Sequence, residues 1–209
     1  MIHYIYSTDF DRHGDLVAGM FRDRTAQFRD RMHWDVTVDA LGWETDAYDA
    51  LDPLYVIAAD GQGRHMGSMR FLPTTGPTML GEVFPHLTGG GSIRSPRVWE
   101  CTRFCLSPKA GSGVARQLLL AASELGLGLG LTHSVGVFDA PMTRVYRRLG
   151  WQPEVLGTRD GISAGVWTFS EAVHDRLLGL VGIHPSQSRN DFERTFASLL
   201  HAEPLSVRA

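Results

Sequence analysis

Apolar and polar positions fall into distinct blocks along the chain. Residues 2–6, IHYIY, alternate with period two and predict a first strand. Residues 14–31 carry Leu16, Val17, Met20, Phe21 and Phe28 at helical spacing, with Asp9 or Asp11 as a candidate cap. Segment 35–52 is polar, acidic and irregular. LYVIAAD, 54–60, is a nearly continuous apolar run, the pattern of a strand covered on both faces. GQG then turns the chain, and 64–72 returns as a hairpin partner. Residues 73–96 are rich in Pro, Gly, Ser and Thr and predict a long loop with a short helix near GEVFPHL. Another strand is expected at 97–107, a clear helix at 113–127 and a buried strand at 131–138. A short helix at 140–150 ends on Gly150, a natural C-cap. A last strand at 163–170 precedes two helices, 171–182 and 189–201. Glycine costs about 1 kcal/mol in a helix interior, so the run Gly126, Gly128, Gly130 predicts that the third helix frays or ends there.

The resulting order, β–α–β–β–β–α–β–α–β with helical additions, predicts an α/β fold: a three-layer α-β-α sandwich around a mixed central sheet. No repeat or low-complexity linker divides the chain, so one domain spans 1–209. The formal net charge of −3 argues against a general nucleic-acid binder. No apolar run reaches the ~18 residues of a membrane span, and no signal peptide opens the chain, so a cytoplasmic protein is expected. Every basic residue except Lys109 is arginine, the better partner for bidentate carboxylate or phosphate contacts, although a GC-rich genome gives the same bias. Cys101 and Cys105 lie too close in one strand for a normal disulfide, and the scattered histidines offer no metal-binding pair, so no metal is expected.

Charges occur where a core would prefer none. They are Arg24 on the first helix, Glu44, Asp46 and Asp49 in GWETDAYD, Arg70 within MGSMRFLP, and Glu100 and Arg103 in a later strand. Buried charges come paired, because an unpaired one costs several kcal/mol. The joint reading is a cleft lined by alternating arginines and carboxylates, suited to a zwitterion. Phe28, Trp34, Trp43 and Phe84 lie near in sequence, with core packing as the alternative for each. An aromatic face stabilises a cation by about 0.5–2 kcal/mol, so an amino acid bearing a sulfonium would fit both parts.

Arg24, Phe28 and Trp34 are followed by Asp46 and Asp49, Arg70 before LPTT, Phe84 in VFP, and Glu100 with Arg103 in Glu-x-x-Arg-Phe. In this ordered set, over about residues 1–150, the chain resembles the LuxI-type acyl-homoserine lactone synthases. The resemblance implies a fold related to the GNAT acetyltransferases. It implies two substrates, S-adenosylmethionine and an acyl thioester on acyl carrier protein or coenzyme A, with no cofactor beyond them. Residues 1–106 would form the S-adenosylmethionine-binding and catalytic half, and 107–209 the acyl-donor half with a C-terminal helical extension. Arg24, Phe28, Trp34, Asp46, Phe84 and Arg103 would bind S-adenosylmethionine. Arg24, Asp49, Arg70 and Glu100 would form an ion-pair network. Glu100 is the first candidate for the base that deprotonates the methionyl amine, with Asp46 orienting it and Arg103 beside it. Backbone N–H groups at a strand irregularity are candidates for oxyanion stabilisation.

Glu100 and Arg103 are three apart, which puts them on opposite faces of a regular strand unless a β-bulge intervenes. In this fold Gly136 and Phe138 would line the acyl pocket, without deciding the chain length. KAGSG, 109–113, resembles the pyrophosphate loop of GNAT enzymes, or is a plain helix entry. Arg144, Arg147 and Arg148 project from one side of a short helix and are candidates to dock the carrier protein's acidic helix or a phosphopantetheine phosphate; a solvated face is the alternative. A monomer is expected. Two other functions compete: a GNAT N-acetyltransferase using acetyl-CoA, and a catalytically silent domain that binds either substrate as a sensor.

Overall fold

Seven strands form one sheet in the order β1-β2-β3-β4-β5-β7-β6 in the computed structural model, which describes residues 1–200. They are β1 Ile2–Tyr6, β2 Leu54–Ala59, β3 His65–Pro73, β4 Val98–Leu106, β5 His133–Asp139, β6 Glu154–Arg159 and β7 Ile162–Thr168. Only β4 and β5 run parallel; all other neighbours are antiparallel. The sheet is therefore mixed, and both faces are covered. On one face Leu16, Val17, Met20 and Phe21 of α1 (Gly14–Arg24) pack on Ile5, Tyr55 and Ile57. On the other, α3 (Val114–Gly128), α5 (Glu171–Val181) and α6 (Pro185–Leu200) bury Val56, Met69 and Phe71. Two short helices, α2 (Met79–Glu82) and α4 (Met142–Leu149), sit beside β4 and β5. No described helix is long and apolar enough to cross a membrane.

The parallel pair matters most for function. Its ladder holds only Val98↔His133, Trp99↔Ser134 and Glu100↔Val135. Past Glu100 the two strands continue without pairing, which leaves an opening in the middle of the sheet.

Three local expectations need correction. The 14–31 helix is continuous, but it widens to a π-helix over Thr25–Arg31, where the Met32 N–H reaches back five residues to Gln27. Such segments recur at functional sites, and this one carries Phe28. The third helix, by contrast, ends within its glycine run as expected: it passes Gly126, stops at Gly128, and Gly130 follows at a φ of 66°. A Cβ at Gly126 would sit 2.2 Å from the Phe169 ring, and one at Gly128 2.3 Å from Phe192, so glycine there admits aromatic rings from later helices and strands. Finally, β6 was not expected. It is an edge strand with exposed Glu154, Val155 and Leu156, interrupted by Gly157, whose bare backbone lies against the Leu87 carbonyl. The last helix starts earlier than 189, at Pro185; residue 201 lies outside the described residues.

Candidate active site

Three arginines and three carboxylates close into a ring on the α1 face of the sheet. Arg24, at the end of α1, donates from Nε to Glu44 at 2.6 Å and from both terminal nitrogens to Asp49 at 3.0 and 2.9 Å. Arg70, in β3, donates to Asp49 at 2.7 Å and to Asp46 at 2.5 and 2.9 Å. Arg103, in β4, reaches Asp46 and Glu44, each at 2.8 Å. Every arginine thus touches two carboxylates and every carboxylate two arginines. Three positive charges face three negative ones, so burial leaves no net charge to solvate. Arg24, Arg70 and Glu44 are fully buried.

The acidic corner is shaped by its own backbone. Asp46 accepts the Tyr48 N–H and Asp49 accepts the Asp46 N–H, a capping box that opens the short helical turn Ala47–Leu51. This explains the spacing of three between them. The Tyr55 hydroxyl adds a 2.5 Å bond to Asp49. Burial pushes the Asp49 carboxyl up, but Arg24 and Arg70 outweigh it and hold the group well below the usual carboxylate range.

Arg103 reaches this ring through a β-bulge. Ser68 pairs with Cys105 and Arg70 with Thr102, so Met69 alone opposes Arg103 and Phe104. Arg103 takes a φ of 52°, a costly conformation for a residue with a side chain, and its pairs with Glu44 and Asp46 hold it there. The bulge brings Arg103 onto the face already occupied by Arg70 and Thr102, whose side chains meet at 3.0 Å.

Glu100 is not a member of the ring. Its two oxygens accept the backbone N–H groups of Met79 at 2.9 Å and Leu80 at 2.6 Å, at the start of α2. It makes no ion pair among the described residues, and Glu44 occupies the network position expected of it. Burial pushes its carboxyl up; the two N–H bonds and Arg70 offset this only in part.

Aromatic residues stand beside the ring. Trp34 stacks on Phe28 at 5.2 Å and 12°, and the Arg103 guanidinium lies 5.3 Å over the opposite partner, the Phe28 ring. Phe28, Trp34, Phe84 and Arg103 line one cavity of about 470 Å³, together with Thr102 and Phe138. A smaller space of about 60 Å³ lies beyond it, against α3, and reaches Gly136, Trp151 and Trp167. Thr102, Arg103, Phe104, Val137 and Tyr146 border both, so the neck between them is the opening where β4 and β5 part. A Cβ at Gly136 would lie 2.7 Å from the Cys101 carbonyl, so glycine permits the close approach of β5 to β4. Phe138 packs edge-on against Tyr146 and Trp167 at 5.5 and 5.4 Å. The two cysteine thiols are free, and burial pushes each up to about 12.

Arg144, Arg147 and Arg148 are exposed on α4 and form no ion pair among the described residues. On the other side of that helix Tyr146 points into the neck. Turns over 109–113 lead into α3. Arg116, in the first turn of α3, donates to the Arg148 carbonyl at 3.4 Å.

The structure therefore brings Arg24, Asp46, Asp49, Arg70 and Arg103 together, with Phe28, Trp34 and Phe84 close by. It sets Glu100, in β4, apart from them, bonded to the start of α2. Glu44 was noted among the misplaced charges but given no role, because the ordered motif set passes over it and its acidic, irregular segment gives no local contrast. Thr102 and Tyr146 gave no signal, since a Thr in a strand and a Tyr on a helix both read as ordinary packing.

The family model described as "Autoinducer synthase" matches residues 9–168. An acyl-homoserine-lactone synthase of Rhizobium etli is 47% identical over 144 residues, covering 66% of this chain and 68% of that one. A CoA-dependent acyl-homoserine lactone synthase, BjaI, solved with SAM and isopentyl-CoA, superposes with a TM-score of 0.79 at 27% identity, covering 88% of this chain and 90% of that one. A putative N-acetyltransferase from Lactobacillus plantarum, 19% identical, superposes at 0.53 over 81% of this chain and 99% of its own, a likeness of fold alone. The acetyltransferase-like fold is thus shared widely, while sequence identity concentrates among the synthases, and the chain belongs to the autoinducer synthase family, the acyl-homoserine-lactone synthases.

Proposed function

We propose that this chain transfers an acyl group from a thioester to the amine of S-adenosylmethionine, then closes the product to an acyl-homoserine lactone and releases methylthioadenosine. The observation that carries this reading is the joining of two unlike spaces. Arg103, anchored in a closed ring of paired charges, and a stacked aromatic pair line one cavity, and a neck bordered by Thr102, Phe104, Val137 and Tyr146 leads out of it through the sheet. A zwitterion with a sulfonium suits the first space, and an acyl chain suits the second. In this division residues 1–106 supply the S-adenosylmethionine side, and the chain after 107 completes the acyl side.

The roles follow from the geometry. Arg24, Asp49 and Arg70 brace the ring. Arg103 lines the cavity with Asp46 paired behind it, and the two orient the methionyl amine and carboxylate. Phe28, Trp34 and Phe84 enclose the sulfonium end. Glu100 is a buried carboxylate that no arginine holds, and burial pushes its carboxyl up, so it receives the amine proton through a water. After acylation the methionyl carboxylate attacks its own γ-carbon and methylthioadenosine leaves. Holding that chain folded back is chiefly an orientation effect. No electron changes hands in either step, so the chemistry requires no redox cofactor. Gly136 and Phe138 border the acyl path, and Arg144, Arg147 and Arg148 receive the anionic end of the donor, coenzyme A or acyl carrier protein. The BjaI complex with isopentyl-CoA supports the coenzyme A form.

The test is incubation with S-adenosylmethionine and a panel of acyl-CoA and acyl-carrier donors, followed by mass spectrometry. Methylthioadenosine release that depends on the acyl donor is expected. An N-acetylated product without it would favour the acetyltransferase reading, and binding without turnover a silent domain. Charge reversal at Arg147 and Arg148 is expected to raise KM for the carrier-bound donor several-fold, with kcat unchanged. No change in KM would remove these arginines from docking.

A further inference from the structure

Thr102 holds a singular position in this molecule. It follows Glu100 by two in β4 and borders both the main cavity and the space beyond the neck. Its Oγ1 accepts the Nε–H of Arg70 at 3.0 Å. Arg70 is itself immobilised, because Asp46 and Asp49 bind its two terminal nitrogens. A hydroxyl has one proton to give. With a lone pair committed to a fixed guanidinium, that proton must point away from Arg70, and it meets no acceptor among the described residues. The cation also draws electron density from the oxygen, which strengthens it as a donor. The result is a preorganised hydrogen-bond donor at the neck, where an acyl group passing from one space to the other must place its carbonyl.

We propose that the Thr102 hydroxyl is the donor that stabilises the oxyanion of acyl transfer, aimed by the buried charged ring through Arg70. In the step, the neutral amine nitrogen of S-adenosylmethionine bonds to the thioester carbon. The carbonyl π pair moves onto oxygen, where Thr102 donates to it. The pair then returns, the C–S bond breaks, and sulfur leaves with the bonding electrons. The hydrogen lost by the amine ends, by way of the base and water, on that sulfur as a thiol. Donors fixed before the charge develops act without reorganisation, which is why they are effective. Lactonisation does not pass through this oxyanion, so Thr102 serves the first step only.

The inference rests on the reading of acyl transfer to S-adenosylmethionine, and the experiment separates the two. Wild-type protein that releases no methylthioadenosine with any acyl donor would overturn that reading. Given wild-type turnover, Thr102→Val is expected to lower kcat for acyl transfer by about 10²–10³-fold. The same variant should lactonise preformed N-acyl-S-adenosylmethionine at the wild-type rate, which also reports an intact site. Thr102→Ser, which keeps the hydroxyl, should stay within about threefold of wild type, the residual loss reflecting a less restricted rotamer. Thr102→Ala provides a second hydroxyl-free variant with less bulk at the neck. Acyl transfer unchanged in either hydroxyl-free variant overturns the proposal. So does parallel loss of both steps in both variants, which would reduce Thr102 to a support for Arg70.

Discussion

The two faces of β3 are equally buried and built on opposite principles. Met69 and Phe71 face α3 and join the apolar core, while Arg70, between them, faces α1 and joins the charged ring. Each face excludes water. The apolar face does so with side chains that gain from burial and tolerate exchange. The charged face does so by returning to each ion the hydrogen bonds that desolvation removes, which restores little more than it cost. What the ring adds is direction: six side chains fix one another's positions, including that of Arg103, which lines the cavity. Stability and placement are thus divided between the faces of one strand.

The largest effect expected from breaking that division is Arg70→Ala. It strands Asp46 and Asp49 in the interior and should cost about 3–5 kcal/mol, read by chemical denaturation, with activity lost. Even Arg70→Lys should abolish most activity, because a point charge cannot span two carboxylates and Thr102 as a guanidinium does. Its neighbour provides the contrast: Met69→Leu should cost less than about 1.5 kcal/mol and leave turnover intact. A variant Arg70→Ala with unchanged melting temperature would show that the ring carries no structural weight.

This contrast between faces also set what could be read from the chain. Arg70 and Arg103 were legible because each charge interrupts apolar neighbours, and such charges need partners; Arg24, Asp46 and Asp49 lie among other polar residues and were singled out by the ordered motif set. Who pairs with whom was less so. Glu100 looked like a ring member because it shares that contrast, yet its partners are backbone N–H groups of α2, which no side-chain pattern displays. Arithmetic left two outcomes, opposite faces or a bulge, since a spacing of three in a regular strand cannot keep two side chains on one face; the register shift between Ser68 and Arg70 decides for the bulge. The glycine run marked the end of α3 correctly, but its packing reason lies in Phe169 and Phe192, far along the chain, and β6 was missed because an exposed edge strand carries no alternation.

Within the charged face, Asp49 and Glu100 sharpen the comparison, since they titrate in opposite senses. Asp49 is held low, so its contribution to stability is present above the ordinary carboxylate value and is lost as pH falls through the folded one. Glu100 is held high, so it favours the folded state at low pH and loses that contribution as pH rises through its folded value. If Glu100 is the proton acceptor, kcat/KM should show an acid limb above the usual carboxylate pKa of about 4.3. Glu100→Gln should lower turnover by about 10²-fold and remove that limb from the pH profile. Near-wild-type turnover, or an unmoved limb, would assign the proton to another group and leave Glu100 as the anchor of α2.

The smallest effect belongs to the rim. Trp34 is 39% exposed and stacks on Phe28, over which the Arg103 guanidinium lies. Its removal should leave the melting temperature near that of the wild type, because neither face of the sheet loses a buried contact. A cation seated against an indole is stabilised by about 0.5–2 kcal/mol, so Trp34→Ala should weaken S-adenosylmethionine binding by about 2- to 30-fold in calorimetry. S-adenosylhomocysteine, whose sulfur is a neutral thioether, should lose much less, since it keeps the adenosyl group and the amino-acid ammonium and carboxylate and lacks the sulfonium. Equal losses for both ligands would show that Trp34 packs against adenine rather than sulfur. The aromatic pair would then act as a shape for the nucleoside, and charge recognition would fall to the ring alone.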